Sequence, residues 1–273
     1  MQTVSKQGAR TGRLIGAIAV VTGGGKGVGR AISLELAAEG ADVAVVSHSD
    51  VAAAEQVAGE IRELGRRAVA VKADITDRES VEGMIGTVCD ALGTLDVLVN
   101  NAGYTAHGPL EQLSEADWDA VFAVNAKGTF LCSVAAARRM IPAGRGSIVN
   151  IAGASAHRSY PFAGGYGPAK AAVVNLTRQM SLEWAKHGIR VNGVSPGPIR
   201  EAGSGWETRE PELAEEVRRL PLRQAADPVD VARAVAFLAS PHAASTTGHM
   251  LLVDGGGVNT WYLAPQDYAE GGG

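Results

Sequence analysis

Two side chains that could move a proton stand four residues apart in a segment, Gly165–His187, whose apolar pattern predicts a helix. They are Tyr166 and Lys170, and residues four apart lie on the same face of a helix, so both can reach one pocket. A tyrosine in water has a pKa of about 10, and a neighbouring ammonium lowers that pKa because it favours the phenolate. We therefore expect a general acid and base with a pKa nearer neutrality, serving a carbonyl or alcohol oxygen.

Glycines crowd the junction between the first predicted strand, Ile18–Thr22, and the helix that follows it. The chain reads Thr-Gly-Gly-Gly-Lys-Gly-Val-Gly from Thr22 to Gly29. Glycines let a turn approach a pyrophosphate closely, and the next helix offers free N–H groups and the positive end of its dipole. We therefore predict a dinucleotide-binding turn that uses Gly23, Gly25, Lys26, Gly27 and Val28.

Short runs rich in valine, isoleucine and leucine alternate with amphipathic segments along the chain. Continuous apolar runs are expected where strands are buried on both faces of a parallel sheet. The predicted strands are Ile18–Thr22, Asp42–Val46, Ala68–Lys72, Leu95–Asn100, Ser147–Ile151, Arg190–Val194 and Met250–Val253. The predicted helices are Gly29–Glu39, Val51–Leu64, Arg78–Leu92, Glu115–Ile141, Gly165–His187 and Pro228–Leu238. This alternation predicts an α/β fold: a doubly wound parallel sheet (Rossmann fold) of seven strands in a single domain.

Composition and charge narrow the class of protein. The chain has 273 residues, of which 46% are hydrophobic, enough for the core of one large α/β domain. The formal net charge of −4 argues against nucleic acid or an anionic membrane surface as the main partner. Two cysteines and six scattered histidines give neither a disulfide framework nor metal-ligand spacing. We expect no metal, no membrane span and a cytoplasmic location.

The ends of the chain differ in composition from its middle. Residues 1–13 are polar and basic and predict a flexible N-terminal arm, residues 14–257 hold the folded domain, and residues 258–273 form a glycine-rich C-terminal tail. The stretch from Pro196 to Arg223 is rich in proline and glycine and shows no clear strand. Long connections of this kind in a compact domain are usually lids or binding loops.

Further motifs follow the glycine turn in order. They read Asn-Asn-Ala-Gly from Asn100, Tyr-x-x-x-Lys from Tyr166 and Asn-x-x-x-Pro-Gly from Asn192. Together with the Thr-Gly-x-x-x-Gly-x-Gly turn, this series resembles the short-chain dehydrogenase/reductase family over about residues 15 to 257. The resemblance implies hydride transfer between a nicotinamide cofactor and a carbonyl or alcohol carbon of a small molecule.

The resemblance also implies roles for particular residues. Tyr166 would handle the proton, Lys170 would also hold the nicotinamide ribose, and Asn125 would help to organise a proton relay through water. Oxidised nicotinamide would further lower the pKa of Tyr166. Additional cofactor contacts are implied for Asp74, Ile75, Asn101 and Ile199. Members of the family form dimers or tetramers through two long helices, so we expect a homo-oligomer.

The second predicted strand ends without the acidic residue that usually binds the ribose 2′-hydroxyl of NAD. It ends instead in Ser47, His48 and Ser49, which can donate hydrogen bonds to a 2′-phosphate. Lys26 supplies a cation, and Asp50 is expected to point outward as the cap of the next helix. The sequence therefore favours NADP(H) over NAD(H), with loose selectivity as the alternative.

The family's substrate-orienting serine is missing from its usual position. That position lies thirteen residues before the tyrosine and is Gly153 here, whereas Ser155 and Ser159 lie two and six residues further on. Three interpretations stay open. Ser155 reaches the substrate because the glycine-rich segment bends, another donor or a water replaces the serine, or the protein binds cofactor with little turnover. Loss of one oxyanion donor costs about 10²–10³ in rate, so activity could survive.

Aromatic and apolar side chains are expected to wall the substrate pocket and to favour a hydrophobic ketone or secondary alcohol. By family position they are Tyr104, His107, Tyr160, Phe162 and Trp206. The predicted function is an NADP(H)-preferring oxidoreductase that acts on such a substrate. Because Gly153 replaces the serine, the alternatives are reduction of C=N or C=C bonds, an elimination, or regulatory binding of the cofactor.

Overall fold

The computed structural model describes residues 12–260. Of the predicted arm 1–13 and the predicted tail 258–273, all but residues 12–13 and 258–260 lie outside the described residues. Within the described range the chain alternates strands and helices as the sequence predicts, and the elements below are the ones that place the candidate site.

Seven strands of the described range form one parallel sheet. They are β1 Ile18–Thr22, β2 Asp42–Ser47, β3 Ala68–Lys72, β4 Val97–Asn100, β5 Gly146–Ile151, β6 Ile189–Pro196 and β7 Met250–Val253. Their spatial order is β3-β2-β1-β4-β5-β6-β7. This confirms the predicted doubly wound sheet. Two boundaries differ by two residues, because β4 begins later than predicted and β6 runs further. Three others differ by one residue: the end of β2 and the starts of β5 and β6.

Helices cover both faces of the sheet. One face carries α1 Gly27–Ala38, α2 Val51–Glu63 and α9 Pro228–Ala239. The other carries α3 Arg78–Leu92, α5 Gly128–Ala143 and α6 Tyr166–Trp184. Three shorter helices are α4 Glu115–Phe122, α7 Trp206–Arg209 and α8 Pro211–Arg218. The last two lie in the stretch predicted as a lid or binding loop. Helix α1 begins two residues before its predicted start.

The central strand shows why its sequence is apolar throughout. Successive side chains of a strand point to opposite faces, so Ala19 and Val21 pack into the core beneath α1, whereas Ile18 and Val20 pack into the core beneath α3. All five residues of β1 are buried. A strand covered by helices on both faces has no polar side, which is the pattern from which the parallel sheet was predicted.

The predicted helix Glu115–Ile141 is interrupted. The structure resolves it into α4, a π-helical turn at Ala123–Lys127, and α5. Turns of this type are uncommon and often mark functional sites. The whole run Glu115–Ala143 has the length and composition of a membrane span, although none was predicted. However, 56% of its most apolar window is buried inside the protein, as in the core helix of a globular fold.

A buried chain of polar side chains connects the sheet to α6. Asn100 on β4 donates from Nδ2 to Ser133 Oγ on α5 (2.9 Å) and to Asn150 Oδ1 on β5 (2.8 Å). Asn150 donates in turn from Nδ2 to Thr177 Oγ1 on α6 (2.9 Å). Buried polar groups of this kind are costly unless they are paired. The chain therefore fixes the position of α6, which carries Tyr166 at its first turn.

We expect Thr177→Val to lower the free energy of unfolding by about 1–3 kcal/mol, because Asn150 Nδ2 would stay buried without its acceptor. Urea denaturation followed by circular dichroism, at one protein concentration, measures the change. Thr87→Val on α3 is the matched control. Each threonine donates its hydroxyl to the carbonyl four residues earlier, Thr177 to Val173 O (2.8 Å) and Thr87 to Gly83 O (2.9 Å), but Thr87 is exposed. Equal losses in the two variants would contradict the role given to the buried chain.

Candidate active site

The glycine turn between β1 and α1 brings backbone segments so close together that a side chain has no room at Gly29. A Cβ at Gly29 would lie 2.0 Å from Gly23 O and 2.6 Å from Asn101 Nδ2, so only glycine fits there. Asn101 donates from this amide to Thr22 O (2.9 Å) and Gly23 O (3.1 Å). The turn therefore keeps its shape through contacts with the residue that follows β4, and its backbone is free to approach a ligand.

The hydroxyl of Thr22 joins the ends of β1 and β4. Thr22 Oγ1 accepts hydrogen bonds from the backbone N–H groups of Asn101 (3.0 Å) and Ala102 (3.1 Å). It donates to Val99 O (3.3 Å), and the side chain is buried. The chain leaves β1 toward β2 on one side, whereas β4 continues the sheet on the other. Ligand clefts in doubly wound sheets form at such points.

A cleft of about 840 Å³ opens at this junction. Most of the residues predicted to bind cofactor line it: Gly23, Gly25, Lys26, Val28, Ser47, His48, Asp74, Ile75, Asn101 and Tyr166. Gly27 lies within the turn at a φ of +49°, where glycine is favoured. Ile199 is not brought to the cleft. It packs against the hydrophobic core and forms an isolated bridge with Ala226.

The cleft can hold a dinucleotide on the side of the turn. The glycine backbone, the N-terminus of α1 and a pocket next to Asp74 and Ile75 are the surfaces that phosphates and an adenine require. The cleft then extends to Val124 and Tyr166. Its dimensions and lining therefore fit the predicted nicotinamide cofactor, with the reactive end near the tyrosine.

One ion pair and one histidine–carboxylate contact lie on the rim of the cleft beyond β2. Lys26 Nζ lies 2.5 Å from Asp50 Oδ2, and His48 Nε2 lies 3.8 Å from Asp74 Oδ2. Asp50 also caps α2 by accepting from Ala53 N (2.9 Å), as expected. The pKa of the Asp50 carboxyl is lowered, chiefly because the carboxylate accepts a hydrogen bond from Lys26. The expected cation is therefore present, but it already has a carboxylate partner.

Tyr166 lines the cleft, whereas Lys170 lies beside the tyrosine ring without lining the cleft, and burial is the main influence on the pKa of both. Lys170 Nζ lies 5.5 Å from the centre of the Tyr166 ring and donates to Ile151 O (2.8 Å). Desolvation lowers the pKa of Lys170 to about 8 and raises the pKa of Tyr166 to about 12. The predicted lowering of the tyrosine pKa is thus wrong for the protein alone, because burial disfavours the charged form of each group.

Asn125 lies in the π-helical turn and faces Lys170. Its Nδ2 donates to Tyr104 O (2.7 Å) and Val121 O (2.9 Å). Its Oδ1 is buried, and no group of the described residues donates to it. A Cβ at Gly103 would lie 3.1 Å from this oxygen and 3.8 Å from Lys170 Nζ. The acceptor Asn125 Oδ1 and the donor Lys170 Nζ therefore both lie close to Gly103.

Ser155 lies next to the position of the missing serine. Gly153 has a φ of 169°, an extended conformation open to any residue, and a Cβ there would lie 3.3 Å from Ser155 Oγ and 3.7 Å from Tyr166 Oη. Ser155 Oγ is buried, and no described group pairs with it. The 3₁₀ turn Ala154–Ala156 bends the chain after β5 and brings this hydroxyl back toward the tyrosine.

The predicted pocket walls divide into two groups. Tyr104, His107, Tyr160 and Phe162 are exposed, and the backbone around Phe162 is joined to the opposite segment by a bond from Gly108 N (3.0 Å). Trp206 is buried instead, packed with Ala214 and Val217 of α8 and with Leu220 just after it. Trp206 was therefore wrongly expected at the wall, because the loop forms a small core of its own.

Sequence reasoning missed Trp118, which lies beside α6, the helix that begins with Tyr166. Its ring stacks on Phe122 with 4.8 Å between centroids. A Cβ at Gly165 would lie 3.1 Å from the Trp118 ring, so the indole covers the backbone just before Tyr166. An aromatic residue in a predicted helix gave no signal of this contact. Among residues 12–260, no cluster of three or more histidine, cysteine or acidic side chains is placed to hold a metal ion.

Comparison with known proteins agrees with this geometry. A family model described as enoyl-(acyl carrier protein) reductase matches residues 23–257. The 2-(S)-hydroxypropyl-CoM dehydrogenase 3 of Xanthobacter autotrophicus is 38% identical, over 89% of this chain and 97% of that protein. A short-chain type dehydrogenase/reductase from Mycobacterium marinum has a TM-score of 0.81 with 33% identity, over 89% and 95% of the two chains.

A gluconate 5-dehydrogenase from Burkholderia cenocepacia, solved in complex with NADP and tartrate, superposes with a TM-score of 0.85 and 30% identity, over 92% of this chain and 98% of that one. The chain belongs to the short-chain dehydrogenase/reductase family. It is an oxidoreductase, as these relatives are.

The burial of Lys170 predicts a pH-dependent stability. The folded-state pKa of about 8 lies below the usual 10.5, so between these values the unfolded chain binds more protons and wild-type stability rises with pH. Below pH 8 both states are protonated and the penalty is constant. Lys170→Met lacks this titration. We expect its free energy of unfolding, relative to wild type, to fall by about 3 kcal/mol from pH 7 to pH 10.5.

Urea denaturation at several pH values measures that difference. Lys186→Met serves as the control because Lys186 is exposed and its charge stays in water. A Lys170→Met curve parallel to the wild-type curve over this range would show that the ammonium is not desolvated.

Proposed function

We propose that the protein transfers a hydride between NADP(H) and a hydrophobic ketone or secondary alcohol, with Tyr166 as the general acid and base. One observation carries this proposal. The Tyr166 hydroxyl and the buried Ser155 hydroxyl face the same gap at Gly153, beside the cleft that fits the cofactor. A carbonyl oxygen in that gap can accept hydrogen bonds from both groups.

In the direction of reduction, Tyr166 gives its proton to the carbonyl oxygen as negative charge develops there. A pKa of about 12 keeps the phenol protonated at neutral pH, which suits a proton donor. Ser155 donates a second hydrogen bond to the same oxygen. A bound nicotinamide supplies or accepts the hydride. In the direction of oxidation, the tyrosine must first release its proton toward solvent, and the alcohol then gives its proton to the phenolate oxygen.

Lys170 and Asn125 act behind the tyrosine. The Lys170 ammonium, when protonated, stabilises a negative charge on the phenol oxygen and reaches the cofactor ribose. With a pKa of about 8, its charge is sensitive to pH near neutrality. The unpaired Asn125 Oδ1 lies close to the same spot as Lys170 Nζ. We propose that this oxygen binds a water molecule, which passes the proton from the lysine toward solvent.

The rim supports a preference for NADP(H), with NAD(H) as a second cofactor. Ser47 ends β2 where an acidic residue would repel a 2′-phosphate, and Lys26 and His48 line the cleft beside it. The gluconate 5-dehydrogenase noted above carries NADP. The preference is limited by the carboxylates of Asp50 and Asp74 on the same rim.

The exposed aromatic residues at the mouth favour an apolar substrate. Tyr104, Tyr160 and Phe162 are large, apolar and solvent-exposed in the protein alone, so a bound ketone or alcohol with a hydrophobic body would cover them.

A homo-oligomer, dimeric or tetrameric, is supported by Phe130 on α5 and Leu182 on α6, which are also exposed. We place the enzyme in the cytoplasm.

The test is oxidation of NADPH and NADH by purified protein with cyclic ketones, diketones, quinones and aryl ketones. We expect turnover that is faster with NADPH and that Tyr166→Phe abolishes, because the variant keeps the ring but lacks the proton. If the protein binds NADPH but no ketone reacts, the result favours the alternative functions over ketone reduction. Oximes, imines and enones then test reduction of C=N and C=C bonds, and their failure as well leaves regulatory binding.

Ser155→Ala separates the three interpretations of the missing serine. We expect kcat to fall by about 10²–10³, because one donor to the developing oxyanion is lost. Gly153→Ser in that background should recover part of the rate, since position 153 is extended and has space for a side chain. Steady-state kinetics measure both variants.

Ser159→Ala is the matched control, a serine of the same loop that is exposed. If Ser155→Ala keeps full activity, another group must hold the oxygen and Ser155 loses its role. If it and Ser159→Ala lose activity equally, the loss comes from disturbance of the loop.

A further inference from the structure

The pairing of Lys26 with Asp50 places an anion at the point where a 2′-phosphate would bind. Lys26 Nζ and Asp50 Oδ2 are 2.5 Å apart, and both residues line the cleft. Lys26 precedes the first residue of α1, and Asp50 precedes the first residue of α2. The ion pair therefore spans the cleft rim from the phosphate turn to the end of β2.

The position of the carboxylate is fixed, whereas the ammonium can move. Asp50 Oδ1 accepts from Ala53 N (2.9 Å) as the cap of α2, and Asp50 N donates to Ser47 Oγ (3.2 Å). Lys26 makes no capping bond, and 70% of its side chain is exposed. A lysine carries its charge on a flexible four-carbon chain. It is thus Lys26 that comes to Asp50, and it can leave Asp50 for another anion.

A second carboxylate weakens the positive field further. Asp74 Oδ1 accepts from Thr76 N (2.8 Å) and Thr76 Oγ1 (2.7 Å), which holds the group on the rim, and Asp74 Oδ2 faces His48. Two carboxylates therefore stand against Lys26, His48 and Lys127, the last acting on Asp74 as a nearby charge. A phosphate that enters meets cations that carboxylates already offset, although the residue usual in NAD-specific sites is absent.

We propose that Asp50 is a specificity-determining residue: its carboxylate competes with the ribose 2′-phosphate of NADP(H) for the Lys26 ammonium. This inference rests on the cofactor site proposed above. It predicts that the rim, although it carries the cation of an NADP site, also admits NAD(H). Removing the carboxylate releases the cation and also removes a negative charge that repels the phosphate. NAD(H), which has a 2′-hydroxyl, gains neither benefit.

The opposite effect of the same ion pair is also physically reasonable. Asp50 could hold Lys26 in the position that the phosphate needs, in which case the pair would pre-organise the site. The two effects have opposite signs in a binding experiment. Competition predicts tighter NADP⁺ binding without the carboxylate, and pre-organisation predicts weaker binding.

The experiment is calorimetric titration of NADP⁺ and NAD⁺ into wild type, Asp50→Asn, Lys26→Ala and the double variant. Asparagine caps helices about as well as aspartate, so α2 should persist. We expect Asp50→Asn to tighten NADP⁺ binding about two- to fivefold and to change the Kd of NAD⁺ by less than about twofold, in line with one exposed charge pair. In the Lys26→Ala background, Asp50→Asn should tighten NADP⁺ binding by a smaller factor.

Glu60→Gln is the matched control. Glu60 pairs with Arg30 at 2.5 Å, again between α2 and α1, but neither residue lines the cleft. This variant loses the same charge and should leave the ratio of the two Kd values unchanged. A ratio that shifts equally in Asp50→Asn and Glu60→Gln would overturn the inference, as would weaker NADP⁺ binding in Asp50→Asn.

The outcomes also separate this inference from the proposed function. Binding of NADP⁺ by wild type with no change in Asp50→Asn contradicts the role of Asp50 alone. Tighter NAD⁺ than NADP⁺ binding in wild type, with the expected shift in Asp50→Asn, contradicts the proposed preference alone. If neither cofactor binds, both proposals fail.

Discussion

The hydroxyl of Thr22 joins the two strand ends on which the whole site depends. It satisfies two backbone donors after β4 and one acceptor within β4, at the place where the chain connections diverge on either side of the sheet. The glycine turn and the Asn-Asn-Ala-Gly segment thereby become opposite walls of one cleft. Without this hydroxyl the two backbone N–H groups after β4 would lose their acceptor at a part-buried position, where unpaired polar groups are costly.

Burial sets the acid–base character of the site. Lys170 is enclosed, and desolvation alone moves its pKa down while it moves that of Tyr166 up. Proximity of an ammonium to a phenol is therefore not sufficient to make a phenolate. The charge of the lysine is itself expensive in this environment. The pKa values of neighbouring groups therefore depend on how far each group is removed from water as well as on the charge of its neighbour.

Much of the fold could be predicted from the sequence because it follows from local patterns. Runs such as Ile18–Thr22 are apolar throughout, and their burial on both faces leaves few alternatives to a parallel sheet. The candidate site could be predicted where a motif fixes residues on one element, as for Tyr166 and Lys170. Contacts between distant segments could not. The π-helical turn, the Lys26–Asp50 pair and the burial of Trp206 depend on packing that no local pattern reports.

The extended backbone at Gly153 has a consequence for how this loop can change over generations. Its φ of 169° allows a side chain, and the neighbouring Ser155 hydroxyl can rotate away from a new Cβ. A chain with serine at both positions is therefore sterically allowed. The hydroxyl that faces the tyrosine can pass from one position to the other through such an intermediate, so a lineage can relocate the group without passing through an ancestor that lacks it.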